Sequence, residues 1–285
     1  MLTPPHIQAA LTQHYGAFYQ AFRAQNNAEV EGVVISGSGL NKALEHYTPS
    51  AVIHADSIPN FPSPTVQGHS SSIRLIEIGG KRVAHFTGRC HLYEGWTMQE
   101  SLAQIGLARL LGARFAVITN SAGGMFPTFA PGDIMLIEDT LNLMFRSVQH
   151  DWLTKQNNDK HDYSRLASGE TIISQEWRKR IVPELSSRNV PFHQGTYIAV
   201  TGPTFETRAE GRMYRAFGGQ AIGMSTVHEA EFANLCGMSV AACSLITNML
   251  PESVASNVSH EDVIHAAAIG APRVAEFIAT ACTTA

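Results

Sequence analysis

Apolar residues recur at Ala10, Leu11, Tyr15, Phe18 and Phe22 with the spacing of one helical face, so Ile7 to about Gln25 is expected to be an amphipathic helix. The β-branched run Val30–Ile35 then leads into Ser36-Gly37-Ser38-Gly39-Leu40, the pattern of a strand entering a glycine-rich turn. Ile73–Ile78 and Arg82–Phe86 read as a hairpin joined at Gly79-Gly80. Leu102, Ile105, Leu107, Leu110 and Leu111 mark a helix that Gly112 stops, followed by a short strand Phe115–Thr119 and a second glycine turn, Asn120–Gly124. Asp133–Asp139 is a further strand, and from Met144 to about Ser174 the chain turns polar, which predicts a surface loop or lid. A helix over Gln175–Arg188, a strand over Gly195–Val200 and a helix from Arg208 to Phe217 follow. Strand Ala221–Ser225, helix Val227–Cys236, buried strand Ser239–Thr247 with Asn248 at its end, and an alanine-rich helix His260–Thr280 complete the pattern. Strands alternating with helices point to one large α/β domain whose ligand contacts gather at the carboxyl ends of its strands.

Composition narrows the function classes. The 285 residues are 44% hydrophobic and 15% charged, ordinary values for a chain with a sizeable core. A net charge of -4 with scattered lysines and arginines offers no basic stripe for nucleic acid. Cys90, Cys236, Cys243 and Cys282 have neither disulfide-framework nor zinc spacing, which favours a reducing, cytoplasmic setting and no metal. Neither an export signal nor a run of apolar residues long enough for a bilayer is expected.

The densest chemistry lies between Thr87 and Trp96, where Gly88 and Gly95 bracket Arg89, His91, Tyr93 and Glu94 at the end of a predicted strand. A guanidinium fork with an imidazole two residues on suits an anion such as phosphate, and Glu94 would steady Arg89 or His91. The competing reading is a polar loop with a surface salt bridge. Backbone amides and the Ser38 hydroxyl offer a second anion cradle, although a turn without ligand fits that stretch equally well. It is neither a dinucleotide fingerprint, since Lys42 stands where a glycine is needed, nor a nucleophile elbow, since Ser36 does. His69 precedes a strand and gains meaning if it lies beside the Arg89 loop. Glu206 sits just before a predicted helix, whose positive terminus is expected to keep it ionised. If the strands share one sheet, Ser38, Arg89 with His91, Asn120, Ser225 and Asn248 converge on one pocket.

Seven motifs in order carry a resemblance: Gly37–Leu40, Ile58–Pro62, Gly88–Gly95, Thr119–Gly124, Gly202–Thr207, Gly223–Thr226 and Leu245–Asn248. Together, from about Val30 to His260, they resemble the trimeric-type purine nucleoside phosphorylases. The resemblance implies a single α/β domain over residues 1–285, with a mixed, mainly parallel, twisted and partly barrel-like sheet flanked by helices. It implies reversible phosphorolysis of 6-oxopurine ribo- or deoxyribonucleosides in purine salvage, by a homotrimer that needs no cofactor beyond phosphate as co-substrate. Under it, Ser38, His69, Arg89, His91, Ser121 and Ser225 hold phosphate. Tyr93, Met224 and His260 take the ribose, and Phe205, Glu206 and Asn248 take the base, with Asn248, Glu206 and His91 as the catalytic set. A xanthosine preference and a non-catalytic nucleoside-binding protein are the alternatives. Asn41, Ser121 and His228 depart from the family pattern at its motifs. The 144–174 segment departs most, and Phe145, Trp152 or Tyr163 would there replace a phenylalanine that relatives lend to a neighbour's ribose pocket.

Overall fold

Side chains that alternate along a strand build two cores here, one on each face of a sheet. In the computed structural model, which describes residues 5–37, 39–64, 71–148, 152, 171–250 and 260–285 (side chains of 260–264 excepted), the first strand, β1, is Gly32–Ile35 and is buried throughout. Val33 and Ile35 join one apolar cluster and Val34 the other, the period of two that a doubly covered strand requires. Helix α1 (Pro5–Gln25) packs on the first face through Leu11, Tyr15 and Phe22, as its periodicity predicts.

The edge of the sheet is antiparallel: β2 (Ala51–His54), β3 (Ser72–Ile78) and β4 (Lys81–Phe86), with Gly79 and Gly80 both at positive φ in the hairpin turn. The short strand β2 is missed by the sequence pattern. Beyond a brief helix α2 (Met98–Ser101) and α3 (Ala103–Leu110) comes β5 (Phe115–Gly124); β1 lies parallel to both β4 and β5. Strand β6 (Ile134–Asn142), helix α4 (Gln175–Ser187), strand β7 (His193–Ala199), helix α5 (Arg208–Ala216), strand β8 (Ala221–Gly223), helix α6 (Val227–Leu235), strand β9 (Ser239–Met249) and helix α7 (His260–Thr284) complete the order. The nine strands run β2-β3-β4-β1-β5-β8-β7-β6-β9, and β9 also pairs with β5, so the last five close on themselves as a small barrel. The sheet is mixed, with β5–β8 and β6–β9 antiparallel and β5–β9, β6–β7 and β7–β8 parallel. Helices α1, α3 and α6 cover one face and α4 and α7 the other.

Two sequence expectations change. The predicted turn Asn120–Gly124 is instead the second half of β5, paired with β9 through a bulge between Ala122 and Gly123. Glycine is required there by packing: a Cβ on Gly123 would stand 2.4 Å from Leu250 Cδ1, and one on Gly124 2.7 Å from Met249 Sδ. The polar 144–174 segment is also not wholly a surface excursion, because Met144, Val148, Trp152 and Ile173 all enter the core. Trp152 donates its indole N–H to the Tyr15 hydroxyl at 3.2 Å and meets the Phe232 ring edge-on. It is therefore no candidate for a neighbour's pocket. Phe145 is 90% exposed, and Tyr163 lies outside the described residues.

Candidate active site

Where β4 ends, the chain has to turn across the carboxyl ends of β1 and β5. The loop from Thr87 does so with Arg89, Cys90 and His91 buried, closing in a short 3-10 helix, Leu92–Glu94. Glu94 acts as its cap: Oε1 accepts the His91 backbone N–H at 2.8 Å and lies 2.8 Å from His91 Nδ1. A carboxylate at Nδ1 keeps a proton on that nitrogen, so Nε2 is the atom turned away from Glu94. The Tyr93 ring stacks on the imidazole at 4.8 Å between centroids, and burial together with Glu94 pushes the Tyr93 phenol up to about 12.

Arg89 is held by other groups. Nη1 donates to Ser225 Oγ at 3.0 Å, and Nε lies 3.1 Å from Oε1 of Glu229, with both charged side chains only 1% exposed. Nη2 is buried and has no hydrogen-bond partner among the described residues. The surface-salt-bridge reading of this loop thus fails, since both carboxylates are buried. Glu229, which the sequence reading missed, is what steadies Arg89. Its only signal was a charge within the all-round buried helix α6, whose faces show no polarity contrast. Burial raises the Glu229 pKa, and the Arg89 charge opposes that rise.

Ser225 is placed by strain. Thr226, β-branched, sits at φ 74°, a conformation that costs about 1–3 kcal/mol and is held only where neighbours fix it. The fixing neighbour is Asn120, whose Nδ2 donates to Thr226 Oγ1 at 2.8 Å. Asn120 itself is buried and contributes support, with Ser121, one residue on, reaching the cavity.

That cavity holds about 230 Å³ and is lined by His91, Tyr93 and Ser121. Phe205 and Glu206 from the loop before α5, Met224 after β8, and Thr247 and Asn248 on β9 line it as well. Thr247 Oγ1 donates towards Asn248 Oδ1 at 3.2 Å, and Asn248 Nδ2 lies 3.4 Å from where a Cβ of Gly123 would be. The amide therefore has its donor end beside Gly123, its partner across β5 and β9. Burial raises the Glu206 pKa, Glu210 raising it further. This corrects the expectation of an ionising helix terminus: the α5 cap is Thr207, boxed with Glu210, and Glu206 lies outside it.

Seven of the predicted residues, His91, Tyr93, Ser121, Phe205, Glu206, Met224 and Asn248, line this one cavity. Arg89 and Ser225 are buried and hydrogen-bonded to each other, two residues before His91 and one after Met224 in the chain. Ser38 and His69 lie outside the described residues, as does the side chain of His260, the first residue of α7. Among the described residues no group of three or more metal-ligating side chains occurs, and no helix is long and apolar enough to cross a membrane.

Residues 32–283 match the family model of the phosphorylase superfamily. A purine nucleoside phosphorylase of Rattus norvegicus is 33% identical over 260 residues, covering 90% of this chain and 89% of the relative. Purine nucleoside phosphorylase 1 of Bacillus subtilis is 32% identical over 245 residues, with 86% and 89% covered. Among solved structures, isoform 2 of purine nucleoside phosphorylase from Schistosoma mansoni, in complex with cytosine and ribose-1-phosphate, superposes with a TM-score of 0.82. It shares 29% identity, with 96% of this chain and 97% of that chain covered.

Proposed function

Since this chain belongs to the phosphorylase superfamily, among its purine nucleoside phosphorylases, we propose that it cleaves 6-oxopurine nucleosides, inosine and guanosine, with inorganic phosphate. The enzyme class, a pentosyltransferase, follows from the family; base choice and residue roles are our reading. The observation that supports them is one cavity lined together by His91, Tyr93, Met224, Phe205, Glu206 and Asn248, with Arg89 and Ser225, near neighbours in the chain of His91 and Met224, hydrogen-bonded to each other.

In this reading phosphate is held by Arg89, His91, Ser121 and Ser225, with Ser38 and His69 completing the cradle. Its oxygen forms a bond to C1′ while the bond from C1′ to N9 breaks, the electron pair leaving with the purine. The sugar passes through oxocarbenium character, and the anion on one face is both nucleophile and counter-charge. Tyr93 and Met224 flank the ribose and His260 orients its 5′-hydroxyl. Asn248 donates to N7 as charge grows on the base, and Glu206 accepts N1–H, a proton that adenine lacks. Phe205 covers the base. No covalent enzyme intermediate is needed, the products being free base and ribose 1-phosphate, and the scheme uses no metal or organic cofactor.

The rest of the reading is a homotrimer in the cytoplasm serving purine salvage. The 90% exposure of Phe145 supports an assembly in which that ring is covered, and light scattering reads the subunit number. The deciding experiment is incubation of inosine, guanosine, xanthosine and adenosine with and without phosphate. Base release from inosine and guanosine only when phosphate is present is expected. Binding without turnover would instead mark a nucleoside receptor, and a xanthosine preference would move the base assignment.

A further inference from the structure

Arg89 is one half of a buried ion pair, and to the other half, Glu229, the scheme above gives no task. Glu229 stands in the first turn of α6, fully buried, with its Oε1 3.1 Å from Arg89 Nε. Among the described residues neither of its oxygens accepts a well-aligned hydrogen bond, so the contact with Arg89 is chiefly one of charge. His228, beside it in sequence, is buried with neither ring nitrogen hydrogen-bonded to a described residue, and burial and the nearby Arg89 and His91 hold it neutral. It adds no charge. His91 meanwhile has the buried Glu94 at Nδ1.

Both nitrogen-bearing side chains assigned to the anion, Arg89 and His91, therefore have a buried carboxylate beside them. A cradle built for the tightest capture of an anion would omit those carboxylates, because each weakens the attraction felt by the ligand. Stability does not account for Glu229 either, since burying an ion pair costs desolvation that a well-packed apolar pair avoids. What a counter-charge does is limit how strongly Arg89 binds and quenches the phosphate. Ground-state binding that is too strong lowers KM without helping the reaction.

We propose that Glu229 is a positioning residue that fixes the Arg89 fork and offsets its charge, so that bound phosphate keeps its negative charge for the sugar cation forming opposite. The proposal rests on the phosphorolysis reading of the cavity. Its test is Glu229→Gln, which keeps the shape and one acceptor while removing the charge. Calorimetric titration with inorganic phosphate alone is expected to give a Kd about tenfold lower than wild type, and inosine turnover a kcat at least about tenfold lower with the inosine KM unchanged. Glu229→Ser, small enough to leave room for water beside the Arg89 guanidinium, is expected to shift the phosphate Kd in the same direction and serves if the glutamine variant does not fold. Unchanged or weakened phosphate binding in a folded variant would overturn the proposal and leave the pair a structural one. Wild type that binds phosphate without cleaving inosine would overturn the phosphorolysis reading, while the Kd comparison still decides the effect of Glu229 on Arg89. Wild type that binds no phosphate would remove both.

Discussion

Asn248 and Glu206, the two polar residues proposed to meet the base, differ in what they can offer it, and that difference sets the predictions made for them. With Oδ1 engaged by Thr247, Asn248 presents a donor. Asn248→Asp turns it into an acceptor, and the ratio of kcat/KM for adenosine over inosine is expected to rise at least about tenfold. Glu206 must be ionised to accept N1–H, and burial raises its pKa, so the ionised form is lost at a higher pH than for a free carboxyl. As pH is lowered from about 8 to 5, kcat/KM for inosine is expected to fall. Adenosine gains relative to it, because a protonated Glu206 can donate to N1. Glu206→Gln should make that ratio independent of pH, and Glu206→Ala should cost inosine at least about a hundredfold in kcat/KM. The identities of these residues were legible in the chain. The orientation of the amide was not, because it depends on a neighbouring hydroxyl and on a glycine that pairs with it across two strands distant in sequence.

Between elements, the strands that carry Ser121 and Asn248 are tied to α5 by Arg215, near the end of that helix. Nε donates to the Met125 carbonyl at 3.1 Å and Nη2 to that of Leu250. Those carbonyls follow β5 and β9, so one guanidinium ties the helix after Glu206 to the strands that carry Ser121 and Asn248. Arg215→Ala is expected to raise the inosine KM by about tenfold while the Kd for phosphate stays the same, and Arg215→Lys, lacking the fork, to fall between. A loss of phosphate affinity in parallel would mean general disruption instead of a loosened base site. Nothing in the sequence of α5 marks this arginine, since Arg208, Arg212 and Arg215 all read as one solvated face. The same limit applies to Trp152: an apolar residue in a polar stretch lacks the periodic neighbours that announce burial, and its place is set by Tyr15 and Phe232 on other elements.

For the whole molecule, buried neutral histidines set an acid limit on stability. His85 and His228 are both pushed down to about 3, chiefly by burial, with Arg74 adding to the first and Arg89 to the second. Unfolded, each binds a proton near pH 6.5, so between that pH and 3 the unfolded state holds more protons than the native one. Their contribution is present above pH 6.5 and declines as pH falls, by about 1.4 kcal/mol per pH unit for each ring. Urea unfolding at pH 7, 6 and 5 should show that decline, and His228→Met should make it shallower by one proton. Most of the strands and helices and the residue types of the motifs were determined by the sequence, because periodicity, glycine placement and side-chain chemistry are local properties, while the roles given to the motif residues came from their joint resemblance to a family. Closure of the barrel through the double pairing of β9, the conversion of a predicted glycine turn into a bulged strand, and the pairing of Arg89 with Glu229 were decided by the tertiary structure alone. Each depends on which distant backbone or charge arrives alongside, and a buried charge shows its purpose only once the partner that neutralises it is in place.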